Sequence, residues 1–187
     1  MNLKVIVVTG PESTGKSTLC QQLAEHFHSE YIAEYARDYV AEHDYKYTYE
    51  DVEHIARYQH EHLKSTIERI KALPSQSDEP YLLFVDTHLI ITKVWFEKVY
   101  GREPEWIAEA IAQSPVDFYL LCQPDTPWEY DPVHSNKERG VSAQPSFLLL
   151  LNANISSITV MPICELGNAA VGRSPNVCAK FTSEVKN

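Results

Sequence analysis

The chain has 187 residues, the size of one domain, and 44% of them are apolar, enough for an ordinary core. Its net charge of −10 argues against a nucleic-acid backbone or an anionic membrane as the main partner. Its apolar runs all fall short of membrane-spanning length and no secretory leader is visible. The four cysteines (Cys20, Cys122, Cys164, Cys178) lack disulfide or zinc spacing, so a cytoplasmic protein with reduced thiols is expected.

Leu3 to Thr9 is an apolar run rich in β-branched residues and predicts a buried strand. It leads directly into Gly10-Pro11-Glu12-Ser13-Thr14-Gly15-Lys16-Ser17-Thr18, the G-x-x-x-x-G-K-S pattern of a phosphate-binding P-loop. Gly10 and Gly15 permit backbone angles and a close approach that a Cβ would forbid, so successive N–H groups can face a polyphosphate. The helix beginning near Lys16 adds the positive end of its dipole. Lys16 brings a point charge for the β- and γ-phosphates, and the Ser17 hydroxyl is placed to ligate Mg²⁺. A turn without a ligand would not need all these parts in this order. The predicted helix runs from Thr18 to Phe27, with Leu19, Leu23, Ala24 and Phe27 on one face.

A short strand over Tyr31 to Ala33 and a helix from about Glu34 follow. Carboxyl ends of parallel strands face the ligand crevice, which puts Glu34 near the phosphate loop. In the helix, Glu34 and Asp38 share a face, as do Tyr35 and Tyr39. An acid with Arg37 at such a strand end suits a hydroxyl-bearing substrate about to receive a phosphoryl group; a solvated face with salt bridges is the plain alternative. Thr48 can cap a long helix from Tyr49 to Leu73, whose stripe is Val52, Ile55, Ala56, Gln59, Leu63, Ile67 and Ile70. Its histidines, His54, His60 and His62, stand among glutamates without H-E-x-x-H spacing and read as a polar face.

Residues 74–80 are loop by composition, and Tyr81 to Asp86 is a buried parallel strand ending in an acid. That is the position of the magnesium-placing aspartate in P-loop proteins; capping the next helix is the other role open to Asp86 or Thr87. Leu89 to Tyr100 reads as a helix with Val94, Trp95 and Val99 inward, and Pro104 starts another. Val116 to Cys122 is a further strand. After it comes a proline-rich acidic loop through Trp128, Asp131 and His134, with Arg139 beyond, where phosphate-transfer enzymes keep a mobile lid. Alternating strands and helices predict a doubly wound parallel α/β sheet in three layers, a P-loop kinase-like fold in one domain over residues 1–187.

G-P-E-S-T-G-K-S-T-L, E-Y-A-R-D-Y, D-T before T-K-V-W, Y-G-x-x-P-E-W-I and P-W-E-x-D-P occur in order over Leu3 to about Pro132. In these motifs the chain resembles the nicotinamide riboside kinase domain of the bacterial NadR regulator and the stand-alone ATP-binding proteins of that group. The resemblance implies transfer of a phosphoryl group from ATP to nicotinamide riboside, giving nicotinamide mononucleotide for NAD salvage. Two features depart from it. The lid position where an arginine is usual holds His134, which leaves Arg139 as nearest substitute. Of sixteen basic and twenty-six acidic residues, only five fall in Val141 to Asn187, and this tail matches none of the family's closing elements. A frame-disrupted or truncated gene end is the expectation, although Ser146 to Leu151 could still pack as a helix and Ile158 to Ile163 as a strand.

With that reaction, residues 10–18 form the phosphate cradle, Lys16 stabilises charge, and Ser17 and Asp86 place Mg²⁺. Glu34 accepts or orients the substrate proton with Asp38 in reserve, while Arg37 and Arg139 serve transition-state charge and Asp131 belongs to the lid. Tyr35, Tyr39 or Trp95 could stack on a cationic pyridinium ring, with core packing the simpler role for Trp95. The competing readings are a kinase for another small hydroxyl compound and a regulatory ATPase without an acceptor.

Overall fold

The computed structural model describes residues 2–11, 14–74 and 78–122, and the backbone of 158–160. Strands β1 (Leu3–Thr9), β2 (Glu30–Ile32), β3 (Tyr81–Asp86), β4 (Phe118–Leu121) and β5 (Ile158–Val160) form one sheet in the order β2-β3-β1-β4-β5. Every pairing is parallel, so each return crosses the sheet through other structure. Among the described residues five α-helices intervene: α1 (Lys16–His26), α2 (Tyr35–Glu42), α3 (Tyr49–Lys71), α4 (Leu89–Trp95) and α5 (Glu105–Gln113).

Period-two alternation divides the sheet's apolar residues between two cores. Ile6, Val8, Leu82, Phe84, Leu120 and Cys122 face Leu19, Cys20, Leu23 and Ala24 of α1. Val5, Val7, Leu83, Val85, Tyr119 and Leu121 face the other way, onto Leu63, Ile67 and Ile70 of α3 and Ile90 and Val94 of α4. Helices on both faces explain why the central strands carry no polar face. The two described cysteines, Cys20 and Cys122, are buried in the α1 layer, and burial holds the Cys20 thiol far above its ordinary range.

The long α3 begins in a capping box: Thr48 Oγ1 accepts from Asp51 N–H, and Asp51 Oδ2 accepts from Thr48 N–H at 2.8 Å. All seven residues of its expected stripe are buried. The expected helix over Leu89 to Tyr100 divides instead: α4 ends at Trp95, and Phe96–Tyr100 widens into a π-helical turn closed by Gly101 at φ 64°. Phe96 is fully buried against α3 and α5, and this second apolar demand on an already committed helix accounts for the widened turn. Strand β4 opens at Phe118 rather than Val116. Asp117 is occupied there by pairing with Lys4 at 3.2 Å and accepting Val5 N–H at 2.8 Å. In the tail, Ile158–Val160 is a strand on β4, as the sequence allowed; the expected helix over Ser146 to Leu151 lies outside the described residues.

Gly10 connects fold to site. Its φ is 142°, and a Cβ there would stand 2.4 Å from the Cys122 carbonyl oxygen, which is backbone and cannot swing aside. Gly10→Ala should cost roughly 1–3 kcal/mol of unfolding free energy in a denaturant titration. Wild-type stability in that variant would mean that the β1 exit does not pack on β4 in this way.

Candidate active site

The loop after β1 closes on itself before α1 starts. Thr14, which is buried, donates from Oγ1 to the Pro11 carbonyl at 2.8 Å, and Lys16 Nζ donates to the same carbonyl at 2.7 Å. Gly15 takes the left-handed conformation at φ 75°, and its carbonyl accepts Leu19 N–H at 2.9 Å. Ser17 and Thr18 are exposed in the first turn of α1. Glu12 and Ser13 lie outside the described residues, as do Asp131, His134 and Arg139.

Asp86 ends β3, paired in register with Val8 of β1, and is 1% exposed. Its carboxyl is pushed up to about 6, first by burial and then by the neighbouring Glu34; the Ser17 hydroxyl hydrogen-bonded to it, Lys16 and Arg37 pull the other way. Five groups singled out in the sequence therefore meet in one place: Lys16, Ser17, Glu34, Arg37 and Asp86. Asp86 Oδ1 is buried without a hydrogen-bond partner. A bare carboxylate oxygen beside a serine hydroxyl is a donor set for a hard divalent cation.

Glu34 precedes α2 in extended conformation and is largely buried, with Arg37 at 4.0 Å on the solvent side. It lies on the lining of two clefts. One is mostly apolar, walled by Val40, Tyr47, Ile55 and Trp95, with Thr87 among its polar members. The other runs along α2 past Tyr35 and Asp38 to Tyr58 and His62 of α3. Tyr39 lines neither. Its hydroxyl donates to Asp51 at 2.8 Å and its ring stacks on His43, which ties α2 to the start of α3. Tyr35 stacks on Tyr58 with ring centres 3.9 Å apart. Trp95, half-buried, stands at the wall of the apolar cleft near Tyr47. Of the α3 histidines, His54 and His62 are exposed against tyrosines and His60 lies near Trp106.

Two features had little signal in sequence. Thr87 adopts φ 64°, an outlier for a β-branched residue, and Gln59 of α3 bonds to this turn. His88 is buried at 2% exposure beside Ser114 Oγ at 2.9 Å. Burial, with His60 nearby, pushes it down to about 4, so it stays neutral at pH 7. Only the polar residue in an apolar α3 stripe hinted at Gln59.

The parallel sheet, its helices on both faces and the glycine loop running into α1 define a P-loop α/β domain. Residues 5–153 match the family described as AAA domain, and the chain belongs to that family. Among known proteins it is similar to the trifunctional NAD biosynthesis/regulator protein NadR of Escherichia coli (strain K12). They are 28% identical over 137 residues, which is 71% of this chain and 31% of that protein. The chain thus spans about a third of the length of that relative. A crystal structure of NadR in complex with NR superposes with a TM-score of 0.61 at 20% identity, over 84% of this chain and 44% of that one. Thymidylate kinase from Ehrlichia chaffeensis superposes equally well, with a TM-score of 0.61 at 13% identity over 87% and 88%. Both structural likenesses bear on the fold alone.

The Asp86 environment predicts a signed pH effect. Its folded-state value, about 6, exceeds the ordinary 3.8, so protonation favours the fold and ionisation above pH 6 opposes it. Without ligands, Asp86→Asn should be more stable to unfolding than wild type at pH 7.5, by about 1–3 kcal/mol. The difference should shrink as pH falls through 6 and vanish near 4; His88, common to both proteins, cancels. A difference independent of pH would show that Asp86 is not strained by its ionisation.

Proposed function

We propose that the chain is an ATP-dependent kinase whose acceptor is nicotinamide riboside, phosphorylated to nicotinamide mononucleotide in cytoplasmic NAD salvage. The observation that carries this reading is the grouping around Asp86 of Ser17, hydrogen-bonded to it, and of Lys16, Glu34 and Arg37 within electrostatic reach, with a mostly apolar cleft lined by Glu34. The NadR similarity favours this acceptor among small hydroxyl compounds.

Phosphoryl transfer needs alignment and charge stabilisation more than covalent participation. The loop N–H groups and Lys16 hold the triphosphate. Glu34 receives the proton as the acceptor oxygen bonds to the γ-phosphorus and the bond to the ADP oxygen breaks. Arg37 offsets charge gathering on the moving group. Ser17 and Asp86 fit a magnesium ion, which when bound neutralises phosphate charge. Trp95 and Tyr47 give an aromatic wall for a flat cationic ring, worth about 0.5–2 kcal/mol when desolvated. Because a thymidylate kinase superposes as well as NadR does, a nucleoside or nucleotide acceptor is the second reading.

Incubation with ATP, magnesium and a panel of ribosides should yield nicotinamide mononucleotide fastest; preference for another nucleoside would reassign the acceptor. Hydrolysis unaffected by any acceptor would mark a regulatory ATPase. Lys16→Ala should lower transfer by about a hundredfold or more while the melting curve stays close to wild type. Glu34→Gln should lower turnover about 10²–10⁴-fold with ATP still bound. Unchanged turnover would move the base elsewhere.

A further inference from the structure

Gln59 stands midway along α3 in a stripe otherwise made mostly of aliphatic side chains, and it is 5% exposed. A primary amide buried there needs partners. Its Nε2 donates to the Asp86 carbonyl at 3.3 Å, the Thr87 carbonyl at 3.2 Å and Thr87 Oγ1 at 3.2 Å. These are the two residues where β3 leaves the sheet and turns towards α4.

The turn is strained where those bonds fall. Thr87 sits at φ 64°, which a β-branched residue avoids. Its own N–H donates to the Val8 carbonyl at 3.0 Å. The peptide plane before its Cα is therefore held by β1 and by Gln59, and the plane after it by Gln59 again. With both planes pinned, the angles of residue 87 are set from outside rather than by its own preference. The preceding plane also fixes where the Asp86 carboxylate points, and that carboxylate meets Ser17 across the cleft. His88, anchored on Ser114, holds the far side of the turn.

We propose that Gln59 is a positioning residue: by pinning the strained Asp86–Thr87 turn it fixes the Asp86 carboxylate in the place where a magnesium-bound triphosphate requires it. The inference rests on the reading of Asp86 as a magnesium-placing residue. Gln59 also borders both clefts on which Glu34 lies, but this role runs through the backbone of the turn and is read from the magnesium dependence of ATP binding, without acceptor present.

The test is ATP binding by calorimetry across a magnesium titration, with melting of the ligand-free protein as a fold check. Gln59→Met keeps the volume and removes the donors. It should raise the magnesium concentration needed for half of the metal-dependent gain in affinity by about tenfold, the effect usual for an outer-shell partner of a metal ligand. Binding of ATP without magnesium should stay unchanged, which a merely structural loss would not give. Thr87→Gly removes the strain, because glycine takes φ 64° freely, so Gln59→Met with Thr87→Gly should recover most of the loss. Should Gln59→Met fail to fold, Gln59→Asn, too short to reach, gives the same readout. A magnesium shift in Asp86→Asn with none in the Gln59 variant overturns this inference alone. No shift in either variant overturns the reading of Asp86 as well. A shift that Thr87→Gly does not relieve overturns the route through the strained turn.

Discussion

One buried carboxylate organises the molecule. Asp86 lies at the end of a central strand, shut away from water, with one oxygen free of hydrogen bonds and a glutamate nearby. Such a group opposes folding when ionised, and the protein tolerates it because two apolar cores on either side of the sheet supply the stability. The sheet's parallel order places this strand end beside the loop that enters α1, so under the proposed function the costly charge sits where a metal–phosphate partner would relieve it.

Burial and reactivity are two consequences of the same geometry. Low exposure raises the Asp86 carboxyl to about 6, which still leaves it mostly ionised at pH 7, and keeps His88 uncharged, so the charges of the site are those of Asp86, Lys16, Arg37 and Glu34. In such a setting each remaining charge acts more strongly than it would in water. Glu34 bridges the two halves of the arrangement: it faces Asp86 on one side and lines the apolar cleft on the other.

Helix α3 does more than cover the sheet. Its apolar stripe packs against β1, β3 and α4, its aromatic face stacks on α2, and its single buried glutamine reaches the turn after β3. A helix this long, started by a capping box and buried along its length, is a stiff strut. It transmits the position of the sheet to both clefts on which Glu34 lies. Stiffness of this kind preserves a strained residue such as Thr87, because relaxing that turn would require moving the strut.

Much of the fold was legible in the chain, since its signals are local. The strand before Gly10, the αL glycine at Gly15, the Thr48 cap and the seven-residue stripe of α3 each follow from periodicity or from a backbone angle that few residues accept. The same local logic placed Glu34 and Asp86 at strand ends and Lys16, Ser17 and Arg37 at the starts of the helices that follow strands, on the side of the sheet where parallel topology gathers them. Other features had no local signature. That Tyr39 spends its hydroxyl on Asp51, that Trp95 rather than Tyr39 meets the apolar cleft, that Phe96 forces a π-helical turn and that Gln59 grips a strained Thr87 all depend on distant segments meeting in space. Local patterning along the chain suffices to say which elements form and which chemical groups stand at their ends. Which side chains face one another depends instead on crossing angles and register between elements far apart in the chain, and no local pattern encodes those.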